Sequence, residues 1–523
     1  MLKNHEPIFG KNVIETLSEG MYDNPLFLFR EYVQNAADAI DAAASAGLMD
    51  QSDGQIQISI DSDSRQLVFE DNGIGIPARE VPTRLANIGA SKKDRVKNKG
   101  FRGIGRLGGL GYCKTVRFET SACGEDVRSV LEWDAEELHR ILADSAEEID
   151  AGELIKRITT IKVEHEKKNA HYFKVSLLGV NKTNDDLLDV VDVRRYLSMV
   201  APVPFDYSKF RYVDAIENFL KTEGIPFPVS YQVYVNGEEV RKAYAATLEI
   251  EGTDKVVETL SVVCRVLKGN ESRILGWYWF CVSKFEGFLP KACWQRCIRL
   301  RKSNIQIGEA DCLSNHPKRG QALWQEDRGN NYFMGEIYAL DPELIPNSRR
   351  DYFNQDEACR RFELALAKEF SGLHKLYHDA SAIRSSVQAV QKAEAEVKSF
   401  NGKDRAHSFF DGKEREAAVR RVQDSLAKAE KAQVALARMK KTMPSDTPSA
   451  TVLHAYEGEL PKKVGTISQS APKGCKAPGF VKDNISVGTW RVLNKVFRVI
   501  ESVLPPSASQ PLKDAIKKEF ERK

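Results

Sequence analysis

The chain has 523 residues, of which 42% are hydrophobic and 29% charged, and its formal net charge is +3. This length predicts two or three domains, and so small a net charge excludes a nucleic-acid footprint spread over the whole surface. The N-terminal residues lack a secretory signal pattern and no apolar run is long enough to span a bilayer, so we expect a cytoplasmic protein with no membrane partner. Nine scattered cysteines predict reduced thiols rather than a zinc site.

The stretch Phe27–Asp41 predicts a helix, because its apolar residues recur at steps of three and four. The same helix carries a polar stripe of Glu31, Asn35 and Asp38, at positions i, i+4 and i+7. Two carboxylates and an amide on one side suit a water, a cation and a polar ligand. A solvated edge of an amphipathic helix explains the same stripe equally well.

Two stretches of alternating polarity, residues 55–61 and 65–71, predict a β-hairpin. The second strand runs directly into Asp71, Asn72, Gly73, Ile74 and Gly75. An acidic residue at a strand end beside glycines is typical of a ligand loop, because glycine permits a close approach that a side chain blocks. An ordinary tight turn is the alternative for so short a motif.

Glycines are dense between Arg84 and Thr120. Such a density predicts a mobile segment that becomes ordered when its amides meet phosphate oxygens. Positive charge would come from Lys92, Lys93, Arg102 and Arg106. No G-x-x-x-x-G-K-[ST] motif occurs, and the segment does not follow a strand as a dinucleotide fingerprint requires, so both common phosphate-loop architectures are disfavoured. The glycines are Gly89, Gly100, Gly103, Gly105, Gly108, Gly109 and Gly111.

In their chain order these elements resemble the gyrase, Hsp90, histidine-kinase and MutL (GHKL) ATPase superfamily, and the phrase FREYVQNAADAID looks most like its Hsp90 version. The resemblance implies an N-terminal Bergerat-type α/β sandwich that binds ATP and Mg²⁺. By that resemblance Glu31 is the general base, Asn35 holds Mg²⁺, Asp71 accepts the adenine amino group, and Gly75 lets the base approach the backbone. It also assigns to nucleotide binding or to the phosphate lid Asp38, Gly73, Ser91, Lys92, Gly103, Gly105, Gly108, Gly109 and Gly111.

Residues 169–180 resemble the last strand of that fold, where family members often carry Gly-Thr. Ala170 and His171 occupy that place here, so the resemblance does not carry over a threonine contact to adenine. The glycine motif matches the family only with an ambiguity of one residue in register.

A second domain is expected after Pro202 and Pro204, which end a short predicted helix. Asn236-Gly237 between alternating residues predicts a tight hairpin, and later strands predict a mixed α/β domain. Its order is similar to the middle domain of Hsp90-type proteins or the second domain of MutL- and MORC-like proteins. The phrase LIPNSRRDYF is similar to the Hsp90 loop that delivers an arginine to the γ-phosphate, which implies this role for Arg350, with Arg349 as the neighbour that could replace it.

The residues Arg299, Arg301 and Lys302 form a basic cluster that would suit nucleic acid, a client surface or water, and solvated charge is the expectation. Farther on, residues 356–398 and 413–441 predict two long helices in an antiparallel hairpin, with a break at Asn401-Gly402. The last residues, from Val487, predict two amphipathic helices suited to dimerisation or docking.

Together these elements predict an α+β multidomain protein with five segments. The expected function is a Mg²⁺- and ATP-dependent conformational machine, an ATP-gated homodimer acting on a protein client or partner subunit. The alternative is a MORC- or MutL-like clamp on nucleic acid, within a bacterial defence or repair system. The segments are an ATPase domain at 1–205, an α/β domain at 206–355, a helical hairpin at 356–442, a linker at 443–486 and C-terminal helices at 487–523.

Overall fold

The computed structural model of the chain forms two compact units. The first is Met1–Ser283 with Gly287–His374, and the second is Lys284–Glu286 with Lys375–Lys523. The residues that the structure describes are 10–18, 24–88, 105–314, 322–406, 409, 412–461, 464–467 and 487–521.

One sheet of the first unit has eight strands, and its strands in chain order are β1 Gln55–Asp61, β2 Gln66–Asp71, β3 Cys113–Ser121, β4 Val127–Asp134, β5 Thr159–His165, β6 Tyr172–Val180, β7 Gln232–Val235 and β8 Glu238–Glu239. Their spatial order is β5-β4-β3-β6-β2-β1-β7-β8. The predicted hairpin is confirmed as β1 and β2, which are antiparallel with Ile58 opposite Phe69. Alternation places one side of each strand in the core, so Ile56, Ile58 and Ile60 are all buried.

Helices pack on this sheet and enclose the main apolar core. The predicted helix at Phe27–Asp41 is confirmed and continues to Ser45. Its rings of Phe29 and Tyr32 lie 5.2 and 4.8 Å from the ring of Phe69 on β2. The arrangement is the α/β sandwich that the sequence implied. These helices are α1 Asn12–Ser18, α2 Phe27–Ser45, α3 Ala135–Ala143, α4 Ala151–Ile158 and α5 Val190–Val200.

The tight turn between β7 and β8 confirms the Asn236-Gly237 prediction. Both residues have left-handed backbone angles, φ 50° and φ 81°, as the hairpin turn requires. The turn is also bonded to β1, because the Asn236 side chain accepts a hydrogen bond from the Ile60 amide at 2.8 Å. Strand β7 pairs with β1 in parallel. The sheet therefore continues past residue 205, where the first domain boundary remains a prediction.

A second sheet lies in the same unit, in which β12 and β14 are parallel and the other pairs are antiparallel. Its order is β13-β12-β14-β11-β10-β9. The aromatic residues Tyr244, Trp277 and Trp279 fill its core beside the helix α6. The elements are α6 Val213–Glu223, β9 Thr247–Glu249, β10 Val256–Lys268, β11 Ile274–Ser283, β12 Cys297–Lys302, β13 Ile305–Gln306 and β14 Met334–Ala339.

The expectation that Arg299, Arg301 and Lys302 are solvated is wrong. Arg299 and Arg301 on β12 are 4% and 0% exposed, and Lys302 is half-buried. Arg301 forms an ion pair with the buried carboxylate of Glu336, which also accepts from the Lys242 ammonium at 2.7 Å. The sequence of β12 alone cannot reveal this burial and ion pair, because Glu336 belongs to β14 and lies beside β12 only through the parallel pairing of the two strands.

The second unit is helical. The predicted antiparallel hairpin is confirmed, since Val390 packs near Ala429 and Ala432, whereas the later residue Val397 packs near the earlier residue Val422. The first long helix does not break at Asn401-Gly402 and ends at Arg405 instead, with Phe400 buried. Only the part of α7 from Lys375 onward belongs to this unit. The helices are α7 Glu357–Arg405, α8 Gly412–Thr442, α9 Pro448–Glu457, α10 Val487–Val503 and α11 Pro506–Glu521.

The structure differs from the predicted linker at residues 448–457, which form α9. The Thr447 side chain caps this helix by accepting from the Ala450 amide, and Val452, Leu453 and Tyr456 are buried. In the described ranges no helix combines the length and the apolar character needed to cross a bilayer.

The buried charges around Glu336 generate a pH prediction. Burial, with the neighbouring charge of Arg301, lowers the pKa of Lys242 from 10.5 to about 7. Above pH 7 the unfolded chain therefore binds more protons at this lysine than the folded chain, so stability should rise with pH between about 7 and 9. Replacing Lys242→Met should remove up to about 1.4 kcal/mol per pH unit of that rise, measured by urea unfolding at pH 6, 7.5 and 9.

Glu336 keeps its ion pair with Arg301 in this variant, so the Met side chain leaves no carboxylate uncompensated. The matched control is Lys255→Met, which removes an exposed ammonium. Parallel pH profiles for the wild type and Lys242→Met would contradict the assignment.

Candidate functional site

The polar stripe of α2 is not a solvated edge. Glu31 and Asp38 are 6% and 5% exposed, and Asn35 between them is half-buried. Burying carboxylates costs free energy unless charges or hydrogen bonds compensate them, so this stripe must face partners rather than water. The amide of Asn35 makes no hydrogen bond to any residue that the structure describes, which leaves its oxygen available to a ligand.

Two guanidinium groups face Glu31. The Nε atom of Arg350 lies 3.4 Å from Glu31 Oε1, and the Nε atom of Arg30 lies 3.9 Å from the same oxygen. Arg350 lies 319 residues after Glu31 in the sequence (350 − 31 = 319), yet it is only 8% exposed at this contact. Its neighbour Arg349 is exposed. The structure thus separates two arginines that are adjacent in the sequence, and it brings only Arg350 to the helix.

The loop that carries Arg350 is tied to the second sheet. Arg350 has a left-handed backbone, φ 55°, which is uncommon for a residue with a Cβ atom. Its carbonyl accepts from the Gly308 amide at 2.7 Å, directly after β13. A Cβ atom on Gly308 would lie 2.4 Å from the Asp351 carbonyl oxygen, so only glycine allows this packing. Across the loop, the Asn347 amide donates to the Tyr352 carbonyl at 2.9 Å.

Three buried polar side chains beside Glu31 were missed by the sequence argument. Arg30, Gln34 and Tyr196 are 1%, 0% and 6% exposed. Their terminal polar atoms have no hydrogen-bond partner among the described residues. Burial raises the pKa of the Tyr196 hydroxyl, and the charge of Glu31 acts in the same direction. For Arg30 and Gln34 the only available signal was their spacing on α2, where they share a face with Phe27, and this pattern predicts a core position rather than a site. Tyr196 lies on a different helix, α5.

The loop after β2 packs tightly on α2. Asp71 is 4% exposed, and its Oδ1 atom accepts from the Gly73 amide at 2.9 Å. The Ile74 amide donates to the Ala39 carbonyl of α2 at 3.0 Å. Gly75 has φ +69°, and a Cβ atom there would lie 1.9 Å from the Ser121 carbonyl oxygen. The two glycines are therefore required by backbone contacts that hold Asp71 beside α2.

The far side of this loop is held by β3 and by the residue before β6. Thr120 Oγ1 accepts from the Ile76 amide at 2.9 Å and donates to the Tyr172 carbonyl at 2.8 Å. His171 Nδ1 lies 2.8 Å from the Gly73 carbonyl oxygen. The residue opposite Asp71 in the β2–β6 register is Phe173. His171 thus supports the loop, and an aromatic ring stands across from Asp71.

The glycine-rich segment is only partly described. Gly105, Gly108, Gly109 and Gly111 lie in a 3₁₀ turn at Gly105–Gly111, whereas Ser91, Lys92 and Gly103 lie outside the described residues. A Cβ atom on Gly109 would lie 2.8 Å from the Tyr32 hydroxyl of α2. Close packing on α2 therefore explains why residue 109 is a glycine. The density of glycines in the sequence does not reveal this reason.

These residues suit a nucleotide with its magnesium ion better than a metal held by protein alone. No group of three His, Cys, Asp or Glu side chains in the described chain is arranged to bind a metal. Mg²⁺ prefers oxygen ligands and commonly takes one or two from protein and others from phosphate and water. The side-chain oxygen of Asn35, one helical turn from Glu31, belongs to the class of oxygen ligands that Mg²⁺ accepts.

Comparison with known proteins agrees with this geometry. The family model for "Histidine kinase-, DNA gyrase B-, and HSP90-like ATPase" matches residues 28–166, which include α2, the Asp71 loop and the 3₁₀ turn. Residues 28–166 therefore form a GHKL-type ATPase domain, close to the Hsp90-like members of that superfamily.

Several bacterial proteins named chaperone protein HtpG are similar to part of the chain. The one from Alcanivorax borkumensis is 28% identical over 142 residues, 24% of this chain and 23% of that protein. The one from Clostridium perfringens is 27% identical over 225 residues, which are 40% of this chain and 34% of that protein. The one from Streptomyces coelicolor is 37% identical over 93 residues, 16% and 14%. The chain thus spans about a third of the length of these relatives or less.

The Asp71 loop generates a stability prediction. Gly75→Ala should destabilise the first unit by about 2 kcal/mol or more, because the new methyl group meets the Ser121 carbonyl and the backbone is left-handed. Gly224→Ala is the matched control, since Gly224 has φ +67° with open space around its Cβ position. It should lose only about 1 kcal/mol from backbone strain. Equal losses in thermal unfolding would show that the loop contact is unimportant.

Proposed function

We propose that the protein is a Mg²⁺-dependent ATPase that couples nucleotide hydrolysis to conformational change. The observation that carries this proposal is the 3.4 Å contact between Arg350 Nε and Glu31 Oε1. It joins a carboxylate on the floor of a GHKL-type domain to a guanidinium delivered by a loop beside a different sheet. Hydrolysis would then depend on the correct placement of two elements of the first unit, the helix α2 with Glu31 and the loop with Arg350.

In this proposal Glu31 accepts a proton from the attacking water at its carboxylate. Asn35 provides a ligand for Mg²⁺, which neutralises phosphate charge when bound. Asp71 and the backbone at Gly75 receive the base. The rest of the proposed nucleotide site consists of Asp38, Gly73, Gly105, Gly108, Gly109 and Gly111, together with Ser91, Lys92 and Gly103, which lie outside the described residues. Arg350 offsets negative charge that develops on the transferred phosphoryl group, since a guanidinium is permanently charged and presents planar donors.

The partners and the setting belong to the same proposal. The names of the relatives, each a chaperone protein, support a protein client, and we propose an ATP-gated homodimer acting in the cytoplasm. The domain boundaries at 205, 355, 442 and 486 are part of this proposal. The nucleic-acid clamp is less well supported, because Arg299 and Arg301 of its basic strand are buried and Lys302 is half-buried.

The role of Glu31 is tested by Glu31→Gln, which keeps the side-chain shape and removes the base. We expect ATP binding within a few-fold of wild type in isothermal titration and ATP turnover reduced by about 10²-fold or more. Glu70→Gln, at a partly exposed glutamate of β2, is the control and should turn over normally. Undiminished hydrolysis by the Glu31 variant would refute the assignment of the base.

The role of Arg350 is tested against its own neighbour. Arg350→Ala should lower kcat by about 10²–10³-fold with little change in KM, because the guanidinium acts on charge present mainly in the transition state. Arg349→Ala changes an exposed arginine of the same loop and should leave kcat within twofold of wild type. If the two variants lose activity equally, general damage to the loop explains the result instead.

A further inference from the structure

The strongest uncompensated charge in the described chain lies on α8, far in sequence from the nucleotide site. From Gly412 to Thr442 this helix contains nine Lys or Arg residues and four Asp or Glu residues, so its net charge is 9 − 4 = +5. The whole chain carries only +3, so the rest of the chain is net negative, 3 − 5 = −2. Positive charge is therefore concentrated on one helix and is not a property of the composition.

The basic residues of α8 fall into two groups. In the first, each cation has an acidic partner: Arg415 meets Asp404 at 2.8 Å, and Lys440 meets Glu457 at 2.6 Å. The second group is exposed and forms no ion pair with any residue that the structure describes. Two of its members, Lys413 and Lys441, lie at the ends of the helix. The other four are Arg421, Lys428, Lys431 and Arg438.

These four side chains share one face of the helix. At 3.6 residues per turn they fall within an arc of about 100°, and at 1.5 Å per residue they extend over roughly 25 Å. Between Arg421 and Arg438 the other positions on that arc are Asp424 and Ala435. An adjacent side of α8 is occupied, because Val422, Ala429 and Ala432 pack on α7. The hairpin thus leaves these four cations exposed to solvent along one face of α8. We call these four residues the α8 basic row.

We propose that the α8 basic row binds the phosphate backbone of duplex nucleic acid, without reading its sequence. A linear array of permanent positive charge matches a polyanion whose charge repeats along a rod. A protein interface or a membrane surface would need bulky apolar anchors among the cations, and the row offers only an alanine. The row also carries no Asn or Gln that could read base edges. Its contacts would therefore position the protein on the phosphate backbone without recognising a base sequence. This surface does not require the proposed ATPase activity.

The proposal predicts a strong dependence of binding on salt. If four phosphates are neutralised, log K should fall with log[salt] at a slope of about −3.6, which is roughly a 10²-fold loss between 50 and 200 mM NaCl. The measurement is fluorescence anisotropy of the full-length protein with two unrelated 30-base-pair DNA duplexes and one RNA duplex. We expect similar affinities for all three, in the micromolar range at 50 mM NaCl.

The decisive variant is the quadruple substitution Arg421→Gln, Lys428→Gln, Lys431→Gln and Arg438→Gln. Glutamine keeps helix propensity, and all four positions are exposed, so circular dichroism should be unchanged. We expect at least a tenfold loss of affinity and a salt slope near zero. The control removes the same total charge from exposed lysines of the first unit, through Lys221→Gln, Lys255→Gln, Lys268→Gln and Lys291→Gln, and should bind within threefold of wild type.

Three outcomes would overturn the proposal. They are no binding at 50 mM NaCl, equal losses in the two quadruple variants, and binding to anionic phospholipid vesicles but to none of the duplexes. ATP turnover should be unchanged in the α8 variant, so a failure here leaves the Glu31 and Arg350 tests standing on their own.

Discussion

The structure of the first unit depends on compensating a buried carboxylate. Glu31 lies almost completely out of water, and an isolated buried charge is strongly unfavourable. Arg30 supplies one compensating cation from the same helix, and Arg350 supplies another from a loop beside the second sheet. Because the second cation is distant in sequence, satisfying Glu31 requires the chain to fold so that this loop reaches α2. The contact between Arg350 and Glu31 therefore lowers the electrostatic cost of burying Glu31 and also defines the candidate site.

A second buried ionic network fixes the elements that make this contact possible. Arg301 on β12 donates to the Ala201 carbonyl at the end of α5 at 3.4 Å, and its charge is balanced by Glu336 on β14. Lys242 reaches the same carboxylate from the segment after β8. Ionic networks of this kind contribute little net stability, but breaking one partner is costly. Their effect here is geometrical, because they join the last helix on the first sheet to the strands of the second.

In the described part of the chain, buried and exposed cations make different contacts. Those of β12 are internal and bind carbonyl groups or Glu336, whereas the α8 basic row is exposed and unpaired among the described residues. Composition does not distinguish the two, since both sets consist of Lys and Arg. The site on α2 and the row on α8 also belong to different compact units. A nucleotide-dependent function and a surface for a polyanion can therefore be varied independently.

The sequence by itself determined the local elements and the residues of α2. Periodicity placed that helix and the β1–β2 hairpin, and Asn236-Gly237 located a turn, because each depends on residues that are close in the chain. The resemblance of its motifs to those of the GHKL superfamily also selected Glu31, Asn35, Asp71 and Arg350. Only the tertiary structure decided that the stripe is buried, that Arg350 and not Arg349 meets Glu31, and that Arg299 and Arg301 are internal. These facts depend on strand pairing and on long-range charge compensation, which a linear pattern of residues does not encode.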